Sequence, residues 1–233
     1  MSQPTISRLD CRLAGLFYLG LAISGGLGFM LVRPLLFAEG DPQQTRMNLI
    51  ERESLARIGI ALEHALALFQ ALASVWFARL FRAVDGFAAG AVAAFGMVNA
   101  IAVLVSAAML ASALDTALAP GTFDPQSTQL LYSISGQLWK AGNIFFGLWL
   151  VPMGWLCWRA GFGPRALGWI LVCGGIGYVI SAFLAVLAPA AGLWVAVFPV
   201  AATVGEFWMI GLLLWKGLRP LQGTSTPGAS QSG

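Results

Sequence analysis

Hydrophobic residues fill six long runs of this chain, and polar residues are confined to short stretches between them. The runs lie near 12–33, 55–78, 87–112, 129–158, 166–187 and 193–215. Each can cross a bilayer as a helix, which takes about 20 residues. The breaks have local causes. Arg33-Pro34 is expected to end the first run, because the proline ring removes a donor and restricts the residue before it. Asp41-Pro42 reads as an N-cap with proline at the first helical position. The charged, amphipathic TRMNLIERESLARIG (45–59) then leads into the second run. Arg79 to Asp85 is a polar turn, and Asp115 to Gln126 is a loop holding Pro120, Gly121 and Pro125. RAGFGPR (159–165) is a tight Gly/Pro loop, and Pro189 breaks the last hairpin.

Composition fixes the class. Of the 233 residues 58% are hydrophobic and only 10% are charged, against about 25% charged in soluble domains. The expected fold is all-α: a polytopic membrane protein built as a six-transmembrane-helix bundle. One domain covers 1–219, and the polar tail 220–233 has nothing to bury and is expected to be disordered in the cytoplasm. The lipid bilayer is the first partner. The net charge of +3 is no nucleic-acid signal, because the basic residues sit at helix ends. Arg8, Arg12, Arg79, Arg82, Arg159, Arg165, Lys216 and Arg219 collect on one side, facing Arg33, Arg46, Arg52 and Arg57 on the other. That excess predicts an N-in, C-in orientation. Trp76, Trp155, Trp158, Trp169 and Trp215 form an aromatic belt at the same inner edge. Cys11, Cys157 and Cys173 are too scattered to suggest a disulfide or a thiol metal site.

Polar side chains inside the apolar runs are the candidate chemistry. Counting about 1.5 Å per residue from the basic end of each span, Glu206 lies near the midplane. Asn99, Glu63, His64 and Asn143 climb through the outer half, and Lys140 lies near the outer edge. A carboxylate near the midplane must be protonated, paired or wetted by a cavity. Gln137, Lys140 and Asn143 recur every third residue, so they share a drifting helix face. Two readings of Lys140 stay open. Either it snorkels to the surface, or it lines an outward-opening pocket and pairs with Glu63 at similar depth. Glu63 and Gln70 share a face. His64, without a second histidine or cysteine at ligand spacing, is a poor metal or haem site, so no metal or cofactor is expected. Glu53 and Arg57 read as a surface ion pair. The small residues Gly20, Ser24 and Gly28, and Gly177, Ser181 and Ala185, form ridges suited to close helix packing.

FFGLWLVPMGWLCWRAGFGPRALGWILVCGGIGY (145–178) and VGEFWMIGLLLWKG (204–217), with NLIERESLARIG (48–59), carry a resemblance. They resemble an uncharacterised family of bacterial integral membrane proteins known only as a domain of unknown function, the one numbered four-three-eight-six. The resemblance covers most of 12–217. It implies a fold and a bacterial cytoplasmic (inner) membrane address, and it implies no reaction. The function expected from the residues is small-molecule binding or transport through a pocket formed by Glu63, His64, Asn99, Gln137, Lys140, Asn143 and Glu206, with a small-molecule or lipid-like ligand. Two alternatives stand beside it. One is an intramembrane enzyme using Glu206 or Glu63 with His64, disfavoured because no nucleophile or cofactor motif accompanies them. The other is an accessory protein whose Gly/Ala ridges pack on a membrane partner or a second copy.

Overall fold

The computed structural model describes residues 7–119, 121–188, 190 and 192–218. Pro120, Pro189, Arg219 and the 220–233 tail therefore lie outside the described residues. The helices are α1 (Arg8–Gly25), continued by a π-helical stretch (Gly26–Val32) and α2 (Arg33–Leu36), then α3 (Pro42–Glu51), α4 (Glu53–Phe81), α5 (Gly86–Leu118), α6 (Pro125–Arg159), α7 (Arg165–Leu187) and α8 (Gly192–Leu218). Six units are long and apolar enough to cross a membrane: α1 with its continuation, and α4 to α8. The all-α, six-helix class expected from the hydrophobic pattern is the class found.

Aspartates start three of the helices. Asp41, Asp85 and Asp124 accept hydrogen bonds from the backbone N–H of Gln44, Ala88 and Ser127, satisfying donors that a helix start otherwise leaves unpaired. Pro42 and Pro125 occupy the first turns. Asp124-Pro125 starts α6 earlier than the apolar run near 129. α3 and α4 are separated by a backbone break at Arg52, with φ −117° and ψ 39°, so the 45–59 stretch is two helices.

The first span departs most from expectation. The chain does not stop at Arg33-Pro34 but remains helical to Leu36. Proline clashes with the carbonyl one turn before it and offers that carbonyl no N–H. The π stretch immediately upstream, where the Arg33 N–H reaches back to the Gly28 carbonyl, widens the turn and accommodates the ring. Arg33 is thereby carried inward and buried, rather than left at the water interface.

Each span packs on its neighbours in the order α1, α4, α5, α6, α7, α8, and α8 returns to α1. The result is a closed ring of six helices. Toward the basic end its axis is filled by fully buried aromatic and aliphatic side chains, including Tyr18, Phe77, Phe81, Trp149, Met153 and Leu156. Ion pairs Asp10–Arg79 at 2.9 Å and Asp85–Arg159 at 2.8 Å tie the basic end together. The Ala88 N–H and the Trp155 indole hold the Asp85 carboxyl below its usual range, so its cap persists into mild acid and is lost only as pH falls through that lowered value. At the opposite end, α3 folds over α5 and α6 with Leu49 buried, and Arg46 donates to the carbonyls of Ala117, Ala119 and Phe123. The Glu53–Arg57 pair forms at 2.7 Å and is exposed.

Glycines set the helix separations. Gly20 meets the Phe69 ring, Gly177 meets the Phe198 backbone, and α6 and α7 touch backbone to backbone at Gly147 and Gly175. A Cβ at Gly175 sits 2.6 Å from the Gly147 carbonyl oxygen, whereas one at Gly90 meets nothing within 4 Å. Gly175→Ala is therefore expected to destabilise the purified protein by about 1–3 kcal/mol in thermal unfolding. Gly90→Ala is expected to be neutral or slightly stabilising. Equal effects contradict the packing.

Candidate functional site

Two polar features lie inside the ring, and one tryptophan divides them. The first is a buried ion pair. The Arg33 Nε and Nη2 donate to Glu63 Oε1 at 3.0 and 2.8 Å. Nη2 also donates to Ser106 at 3.0 Å and to Ser135. Ser106 donates to Glu63 Oε2 at 2.8 Å, and the Trp139 indole N–H donates to Oε1 at 3.0 Å. The guanidinium carbon lies 5.6–6.0 Å from the ring centres of Tyr132, Trp139 and Phe29. Four elements thus meet on one pair of charges: the α2 start, α4, α5 and α6. The void beside it holds about 10 Å³, roughly the space of one water. This cluster is a closed structural knot with no room for a ligand.

The second feature is a chamber of about 280 Å³ on the ring axis. Its walls come from all six spans and are mostly apolar, with Leu21, Leu66, Val103, Phe146 and Ile210 among them. Among its lining residues Glu206 is the sole Asp, Glu, Lys or Arg. Tyr18 donates to Glu206 Oε1 at 2.9 Å, joining α1 to α8. Tyr18 is itself clamped edge-on by Phe77 and Trp149 at ring distances of 5.7 and 5.1 Å. Asn143, Asn99, Thr203 and Tyr178 supply the other polar groups. Asn99 is anchored from behind, donating to Gln70 at 3.4 Å, and Gln70 donates to Ser74 at 3.3 Å. Met30 and Phe207 line the chamber and are also exposed on the bundle's flank, at 73% and 59%. The mouth therefore lies between the π stretch and α8.

Trp139 belongs to both features. Its indole N–H holds Glu63 while its ring lines the chamber. Phe29 stacks on it at 4.8 Å and lines the chamber as well.

The seven candidate residues do not form one pocket. Asn99, Asn143 and Glu206 line the chamber. Glu63 is buried in the ion-pair knot, and its partner is Arg33, not Lys140. Lys140 and Gln137 are exposed. A step of three residues turns a helix by about 60° short of a full circle, so Gln137 and Asn143 end about 120° apart, and only Asn143 faces inward. His64 is exposed, its Nδ1 2.9 Å from the Ile60 carbonyl. The Glu63–His64 acid–base pairing is therefore not assembled. Arg33, Ser106, Ser135, Trp139 and Tyr18 were missed as site residues. For Arg33 the signal was present: an arginine directly before a proline, with three glycines in the preceding turns.

A family model described as a domain of unknown function, DUF4386, matches residues 13–217, and the chain belongs to that family. No curated protein and no solved structure matches it.

The geometry ranks the charges. Arg33→Met and Glu63→Gln are each expected to destabilise the purified protein by roughly 3–5 kcal/mol, since each strands a buried polar partner. The double change is expected to cost clearly less than their sum. Lys140→Met is expected to stay within about 0.5 kcal/mol of wild type and to add simply to Glu63→Gln. A double-mutant cycle on detergent thermal unfolding reads both. Additivity of the Arg33 and Glu63 changes contradicts the knot.

Proposed function

We propose that this DUF4386 protein takes a small, largely apolar molecule with one polar head out of the bilayer and holds the head at Glu206. One observation carries this reading. A ring of helices that could close on itself instead keeps an axial chamber, and that chamber has a single acid on a mostly apolar wall. Ligand sites in membrane bundles combine these features: apolar enclosure, a few convergent polar groups and placement near the midplane. The volume of about 280 Å³ is at the lower end of the roughly 300–1,000 Å³ typical of small-molecule pockets. It suits a compact ligand better than a two-chain lipid. The flank mouth between Met30 and Phe207 supports entry from the lipid phase.

The rigid half of the bundle has a role in this account. Tyr18 is packed between Phe77 and Trp149, so its hydrogen bond orients the Glu206 carboxyl group toward the chamber, a condition for selective binding. The ion-pair knot fixes the opposite wall through Trp139. We also infer that the basic end, with Arg79, Arg82, Arg159, Arg165 and Lys216, faces the cytoplasm of a bacterial inner membrane, by the excess of cations there.

Two experiments test these readings. Gly26 lines the chamber, and a Cβ added there meets nothing within 4 Å. Gly26→Trp is therefore expected to fill the chamber while the protein still accumulates and melts near the wild-type temperature. Mass spectrometry of extracts from both purified proteins should show a small molecule that accompanies wild type and is missing from the variant. Identical profiles oppose the binding reading. For orientation, Gln44→Cys and Gly86→Cys lie on exposed positions at opposite ends. An impermeant thiol reagent should label Gln44→Cys in intact cells and Gly86→Cys only after permeabilisation. The reverse pattern inverts the topology.

A further inference from the structure

We propose that the chamber selects organic cations, meaning compact tertiary or quaternary ammonium compounds with an apolar body. The inference rests on the binding reading above and adds the ligand's charge. Three features of the wall point to it.

The first is the charge inventory. Among the lining residues Glu206 is the sole Asp, Glu, Lys or Arg. Lys140 is exposed elsewhere, and Arg33 is neutralised inside its knot. An anionic head entering the chamber meets no cation, and in a low-dielectric site that absence is costly. A cationic head meets the one acidic side chain of the wall.

The second is the hydrogen bonding of that carboxylate. Tyr18 donates to Oε1. One oxygen is thus fixed and partly compensated, and Oε2 remains for the ligand.

The third is the aromatic lining. Phe29, Trp139, Phe146, Tyr178 and Phe207 all face the chamber. Phe146 and Tyr178 stand edge to face at 5.2 Å, on the side of the ring formed by α6 and α7. Aromatic faces carry negative potential and bind quaternary ammonium groups, which cannot donate hydrogen bonds. An acid and several aromatic rings around one mostly apolar space form a match for a cation that is itself greasy. A neutral apolar ligand would give Glu206 no partner beyond Tyr18.

Benzyltrimethylammonium and its neutral isostere neopentylbenzene share shape and differ in one charge. Their binding to the purified full-length protein can be compared by calorimetry and thermal shift, with benzenesulfonate as the anionic probe. The cation is expected to bind at least about tenfold more tightly than the isostere, the scale of a desolvated cation–π contact. The anion is expected not to bind. Glu206→Gln, checked for normal size-exclusion behaviour, should remove most of that preference. The comparison of probes on wild type needs no variant and stands if Glu206→Gln fails to fold. Equal or tighter binding of the neutral isostere overturns the cation selectivity and leaves the chamber as a binding site. Preferential binding of the anion does the same. If no probe binds, and Gly26→Trp changes nothing that accompanies the protein, both the selectivity and the binding reading fall.

Discussion

The bundle is organised by a full pair of charges buried inside the ring. An arginine and a glutamate buried inside a membrane protein, in the half away from its basic end, are tolerated only if they neutralise each other and their remaining donors and acceptors find partners. Arg33 Nε and Nη2 and both Glu63 oxygens find partners in each other and in Ser106, Ser135 and Trp139. Because the partners come from four helical elements, the pair sets the relative height and rotation of α1, α4, α5 and α6 together. The π stretch before Pro34 is the local distortion that brings the guanidinium to this point. The glycines at its start both permit the distortion and leave open space beside it, since Gly25, the last residue of α1, and Gly26 line the chamber.

Ring closure explains why a chamber exists. Six helices packed in a circle enclose an axis that side chains must fill. Large aromatics do so toward the basic end, where Trp149, Phe77 and Tyr18 are fully buried. In the other half the side chains stand around the axis without filling it. Gly25, Gly26 and Gly142 contribute no bulk, and Trp139 is turned toward Glu63 by its hydrogen bond. The polar knot and the chamber are thus two results of one arrangement, with Trp139 and Phe29 as their common wall. A structural tie of this kind means that a molecule pressing on Trp139 also acts on the Glu63 bond.

Much of the architecture was legible in the residue pattern, because length and hydropathy of a membrane span are direct consequences of bilayer thickness. Asp41-Pro42 was equally legible, since an N-cap and its proline are adjacent in sequence. Glu206 could be singled out because a short acidic side chain near the midplane has few ways to be satisfied. What sequence spacing did not reveal was rotation about each helix axis. Lys140 and Asn143 differ by one step along α6, yet only Asn143 reaches the chamber. Glu63 and His64 are neighbours, and only Glu63 is buried. Arg33 was assigned to the surface because Arg-Pro normally ends a helix; the π stretch that carries it inward depends on packing against α4 and on the Ser106 and Ser135 hydroxyls, which are distant in sequence.

The central claim is that charge compensation at Arg33 and Glu63 holds one half of the ring open around Glu206. An experimental density map of the wild-type protein in lipid nanodiscs tests it most directly. The expected map shows the Arg33 guanidinium against the Glu63 carboxylate, Trp139 between them and the chamber, and an open axial space reaching Glu206 and Tyr18. A map with Arg33 extended to the bilayer surface, and with α8 packed against α6 so that Glu206 is enclosed by side chains, contradicts the account.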